Sequence, residues 1–174
     1  MKTKTDTLLA VMNVLSWVTL IGLIVKAGAI IISYGVSIRN PAGAKNLYMG
    51  WDLYNLRQFD FWHYTGTVLL MIAILLSEAY IAFLVTRVLS KIKMTNPFTM
   101  EVSKILEKIG YFILLTWVAA MLYNGHITWL SKRITGLQEN LISGEFLLMA
   151  GVVFVFSQIF KKGVEIQTEN ELTV

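Results

Sequence analysis

The chain has 174 residues, 56% of them hydrophobic and only 15% charged, where soluble domains run at about 45–50% and about 25%. It contains no cysteine, which excludes disulfides, thiolate nucleophiles and cysteine-ligated metals. The net charge is +4, but Lys and Arg flank apolar runs and form no single basic face; they read as topology signals and lipid headgroup contacts, and direct nucleic-acid binding is not expected.

After a short polar start, Leu8 to Val25 is apolar apart from Asn13, Ser16 and Thr19, and beyond Lys26 the chain continues AGAIII. A secretory signal peptide cleaved near Ala27-Gly28-Ala29 is the rival reading. The run exceeds the roughly 7–15 residues of a signal core, and a lysine just before the cleavage site fits poorly, so a retained first span over residues 8–33 is expected. Residues 34–61 form a connection with turn chemistry at Asn40-Pro41 and Ala42-Gly43. Its second half is aromatic, with Tyr48, Trp51, Tyr54, Phe59 and Phe61. Such rings favour the headgroup zone, so a loop lying on the outer leaflet is expected, with a lid over a pocket between the helices as the functional alternative.

A second span covers residues 62–90. Asn96-Pro97 then breaks the chain, and Pro97 suits the first turn of a new helix. Val102, Ile105, Leu106 and Ile109 recur at helical spacing, predicting an amphipathic stem over 97–108 and a third span over 109–130. A polar link, SKRITGLQEN, carries Gly136 as a helix-ending residue. The last span is expected over 141–162, stopped by Lys161, Lys162 and Gly163, with an acidic tail over 163–174.

The fold class is therefore an all-α integral membrane bundle of four helices, since only helices or closed barrels satisfy the backbone in lipid. Four spans place both termini on one side. That side carries Lys2, Lys4, Arg87, Lys91, Lys93, Lys104, Lys108, Lys161 and Lys162; the other carries Arg39, Lys45, Arg57, Lys132 and Arg133. The excess predicts cytoplasmic termini. Leu15-Ser16-Trp17-Val18 echoes Leu115-Thr116-Trp117-Val118, which would fit two similar hairpins, although apolar segments match by chance easily.

Glu78 is the most informative residue. A charged side chain at mid-span costs about 2.5–3.5 kcal/mol on insertion scales, so it must be protonated, paired or facing a polar interior. It is either a proton or cation site or a packing contact with Asn13, Ser16 or Ser157. Lys26 is the charged candidate partner, but counting residues from Leu8 puts it near the outer boundary, where it would snorkel to the headgroups. His63, His126, Asp60 and Glu145 fall near the same interface. They are weak candidates for a metal site, because no ligand spacing supports them. They are also the residues a membrane enzyme would need to gather. No phosphate loop, nucleophile elbow or metalloprotease helix is present, and neither a cofactor nor an enzymatic activity is expected. The tail holds Glu165, Glu169 and Glu171 and closes on Leu172 and Val174, an alternation that suits docking to a partner.

Two motifs carry a family resemblance: Asn96-Pro97-Phe98 with the helix IleLeuGluLysIleGly after it, and Phe160-Lys161-Lys162-Gly163-Val164-Glu165 closing on Glu169-Asn170-Glu171-Leu172-Thr173-Val174. With the four-span layout, they resemble the bacterial membrane family called domain of unknown function 2975. The resemblance implies a four-helix membrane protein with no established activity, encoded beside a small helix-turn-helix regulator of the Xre/Cro type. It thus implies a regulatory protein whose docking residues would be Asn96, Pro97, Phe98, Gly163, Glu165, Glu169, Glu171, Leu172 and Val174. A small transporter or ligand-binding protein using Glu78 and the loop aromatics is the alternative.

Overall fold

The computed structural model describes residues 4–92, 97–143 and 145–172, with side chains as far as Glu169. All regular structure among them is helical: α1 (Lys4–Arg39), a 3-10 segment (Pro41–Asn46), α2 (Tyr54–Phe59), α3 (Phe61–Lys91), α4 (Met100–Ser131) and α5 (Phe146–Leu172). The four long helices are each long and apolar enough to cross a membrane. Their surface supports that reading. Val14, Val18, Ile21, Val25 and Ile32 of α1 and Leu148, Val155 and Ile159 of α5 are exposed, a contiguous apolar surface that water would not tolerate and lipid would cover.

The helices stand in a row. α1 packs on α3, α3 on α4 and α4 on α5, so the chain forms two helical hairpins joined through their inner members. Small and hydroxylated residues mark the seams. Ser77 and Thr116 share a hydrogen bond of 2.7 Å between α3 and α4. Ser103 and Ser157, both buried, each donate to the other's backbone carbonyl at 3.2 and 3.4 Å between α4 and α5. Nearby, the Phe154 ring lies against the bare backbone of Gly110. In lipid, helices gain little from excluding water, so close backbone approach and such bonds supply the association. Substituting Ser157 with leucine should force α4 and α5 apart and cost about 1–3 kcal/mol. A lowered melting temperature in detergent would show it, and an unchanged one would mean that the seam yields freely.

The connection over 40–60 is a folded cap. Asn40 accepts a hydrogen bond from the Ala42 N–H and opens the 3-10 segment. Ala44, Leu47, Leu53 and Leu56 are buried in one cluster with Ile30, Tyr64, Ile127 and Leu130. The aliphatic residues interleaved among the aromatics decide this placement, because burying them against the helix ends removes them from water. Buried Tyr64 shares a 2.6 Å hydrogen bond with Ser37, and the Tyr34 hydroxyl donates to Thr65, tying α1 to α3 beneath the cap. Asp60 closes the cap and starts α3, its carboxylate accepting the His63 N–H at 2.7 Å.

Several boundaries differ from the sequence reading, beginning with α1, which runs to Arg39 and not to residue 33. α4 begins at Met100 with Thr99 as its N-cap, so Pro97 lies before the helix and not in its first turn. α4 ends at Ser131; Gly136, with φ +77°, belongs to a separate turn. α5 starts at Phe146 and runs through Gly163 to Leu172, so Gly163 is a helix-interior residue and not a stop. The 3.0 Å Lys162–Glu165 ion pair, and Gln167, Glu169, Glu171 and Leu172 as good helix formers, carry α5 onward.

Candidate functional site

Glu78 projects from α3 between two voids. One is a crevice of about 490 Å³ walled by α1 (Leu15, Thr19) and α5 (Phe146, Met149) and floored by α3 (Ile81, Val85). The other is a cavity of about 150 Å³ shared with Lys26, Trp51 and Met71. Glu78 has no ion-pair partner among the described residues. Ser16 donates to the Met12 carbonyl and Ser157 is engaged with Ser103, so these two predicted partners are committed elsewhere. Asn13 Oδ1 is buried without a hydrogen bond.

Lys26 lies deeper along α1 than the count from Leu8 placed it, and its ammonium reaches toward the cap. Its Nζ lies 5.0 Å from the centroid of the Trp51 ring and 5.8 Å from that of Tyr48, both in the cap. The physical reason is the length of α1, which runs to Arg39. At ~1.5 Å per residue, Lys26 sits roughly 20 Å below the capped end of α1 and Glu78 roughly 25 Å below the start of α3. The offset is about one helical turn, and the two side chains border one cavity. Trp51 is thus the loop aromatic that covers a void between the helices.

His63 and His126 meet, with ring centroids 5.3 Å apart, and Trp129 joins them at 5.5 and 6.4 Å. Arg133 lies over Trp129 at 3.9 Å. Asp60 is used as the cap of α3, and Glu145 is exposed just before α5. Among the described residues, no three His, Cys, Asp or Glu side chains gather as a metal set.

At the far end of the bundle, Phe98 and Gly163 are in contact. A Cβ added at Gly163 would stand 2.6 Å from Cδ1 of Phe98, inside any tolerable approach. The Phe98 ring also meets Phe160 edge-on, with centroids 5.3 Å apart. Two motifs some sixty positions apart in the chain therefore form one surface. Glu165 and Glu169 are exposed on the continuing helix. Asn96 and Val174, and the side chains of Glu171 and Leu172, lie outside the described residues.

Residues 39–174 match the model of a family described as a protein of unknown function, DUF2975. The chain belongs to the DUF2975 family. No curated protein and no solved structure matches it. In this DUF2975 protein the matched segment holds the cap, α3, α4 and α5, with Glu78, Phe98 and Gly163 among them. Lys26 and the α1 wall of the crevice precede it.

Asn124 escaped the sequence reading. Its amide donates to the Ile142 carbonyl at 2.8 Å and accepts the Ile142 N–H at 2.9 Å. This pair ties the non-helical approach to α5 onto α4, where the backbone would otherwise lack partners. The signal was available: an amide inside an apolar run invites the same question as Glu78.

Proposed function

We propose that this DUF2975 protein is a non-enzymatic regulatory membrane protein, and that its cytoplasmic face binds a small helix-turn-helix regulator. The observation that carries the reading is the packing of Phe98 on Gly163, which joins the two motifs into one surface. From that surface α5 projects its acidic last turns, suited to a basic partner. The distribution of Lys and Arg supports a cytoplasmic placement, and the family resemblance implies a bacterial plasma membrane. Deleting residues 164–174 is expected to abolish co-purification with the regulator encoded beside the protein while leaving membrane insertion intact. Undiminished co-purification with the truncated chain would overturn the reading.

A second reading, a small transporter or ligand-binding membrane protein, is supported by Glu78 opening onto the apolar crevice. Under it, Glu78→Gln abolishes substrate-dependent flux or binding while the bundle stays folded.

A further inference from the structure

The crevice beside Glu78 has a chemistry of its own. Its lining comes from α1, α3 and α5 and, through Ile113, from α4, and α1 and α5 are the outer helices of the row, so the opening lies between them on the lipid-facing side. The lining is aliphatic, aromatic and thioether, relieved by the hydroxyls of Ser16 and Thr19 and by one ionisable group, Glu78. Ser16 and Thr19 both spend their hydrogens on carbonyls one turn back in α1, at 2.9 and 3.0 Å. That leaves the Glu78 carboxylate as the polar group to be satisfied. Lys26 lies one turn beyond Leu23 on α1, across the smaller cavity from Glu78, with its ammonium on the faces of Trp51 and Tyr48. A carboxylate at this depth without an ion pair is costly, and a cation delivered into the crevice would offset that cost.

We propose that the crevice binds a lipophilic monocation, an apolar body bearing a single positive centre, which enters from the bilayer and pairs with Glu78. Charge complementarity sets the class. An anion would meet the carboxylate while the nearby cation, Lys26, is held on the faces of Trp51 and Tyr48, and a neutral hydrocarbon would leave Glu78 as it was. The crevice volume of about 490 Å³ falls in the range of small-molecule sites. The proposal rests on the ligand-binding reading and is independent of the regulator.

The test uses the full chain in nanodiscs and radiolabelled tetraphenylphosphonium as the probe, with tetraphenylborate as its anionic isostere. Saturable binding of the cation is expected, weakened about tenfold or more by Glu78→Gln, which corresponds to about 1.4 kcal/mol per factor of ten. Glu78→Asp should retain most of it, which keeps the test decisive if the glutamine variant is poorly folded. Thr19→Trp, on the exposed wall of α1, should block binding by filling the crevice without touching Glu78. Saturable binding that is equal for tetraphenylborate would overturn the cation class alone, and saturable binding unchanged in both Glu78→Gln and Thr19→Trp would overturn the crevice as its site. Absence of saturable binding by either ion would overturn the ligand-binding reading with it. A Thr19→Cys variant that cross-links two copies in nanodiscs would overturn the proposal by filling the opening with a second chain.

Discussion

Replacing Asn124 with leucine is expected to destabilise the protein by about 2–4 kcal/mol, the largest effect of any single polar substitution inside the bundle. The wild-type amide makes two hydrogen bonds to one residue, donating to the Ile142 carbonyl and accepting its N–H. Leucine has nearly the same volume, so packing is conserved and the loss is electrostatic. Both Ile142 backbone groups are left without partners in a segment packed against the core, and each costs about 1–3 kcal/mol. Ile142 is only half-buried, which keeps the total below the upper sum. Asn124→Asp tests the geometry further. It keeps the acceptor for the Ile142 N–H but sets a carboxylate oxygen against the Ile142 carbonyl, so it too should destabilise. Thermal unfolding in detergent measures both variants. An Asn124→Leu protein as stable as wild type would show that the link before α5 satisfies its backbone another way.

The second large effect is expected at Gly163. Two terms oppose each other there. Glycine inside a helix is worth about 1 kcal/mol less than alanine, so on an isolated helix Gly163→Ala would stabilise. In the bundle the new Cβ would enter the Phe98 ring, whose Cδ1, Cγ and Cε1 lie 2.6, 2.8 and 3.0 Å from its position. Phe98 stands on the irregular stretch before α4 and can swing away. Stability should therefore change little in Gly163→Ala, while the surface shared by Phe98 and α5 is lost. Gly163→Leu forces the same displacement completely. Regulator binding is expected to fall about tenfold or more in Gly163→Leu with helical content unchanged. Binding that survives both would separate the tail from the Phe98 corner and remove the joint surface from the account.

The four spans were legible because each is an apolar run of sufficient length, a signal that survives any detail of packing. Their ends were less so, since ends are decided by local partners. Lys161-Lys162-Gly163 reads as a stop, yet Gly163 serves as a seat for Phe98 and the helix continues. Leu141 and Ile142 read as span, yet Asn124 holds Ile142 in a non-helical link. Glu78 was recognisable from its cost in lipid. Its setting depended on the true length of α1, which puts Lys26 within about one helical turn of the level of Glu78 and under Trp51. The meeting of Phe98 with Gly163 is tertiary, and neither spacing nor periodicity signals it.

A single-cysteine variant tests the central claim most directly, and the cysteine-free chain makes it clean. Glu165→Cys places a thiol on the exposed extension of α5. A membrane-impermeant maleimide should label it in inverted vesicles and not in intact cells, and the helix-turn-helix regulator proposed as the partner should protect it when added. Labelling from outside intact cells would contradict the cytoplasmic placement, and labelling unaffected by the regulator would contradict the docking surface.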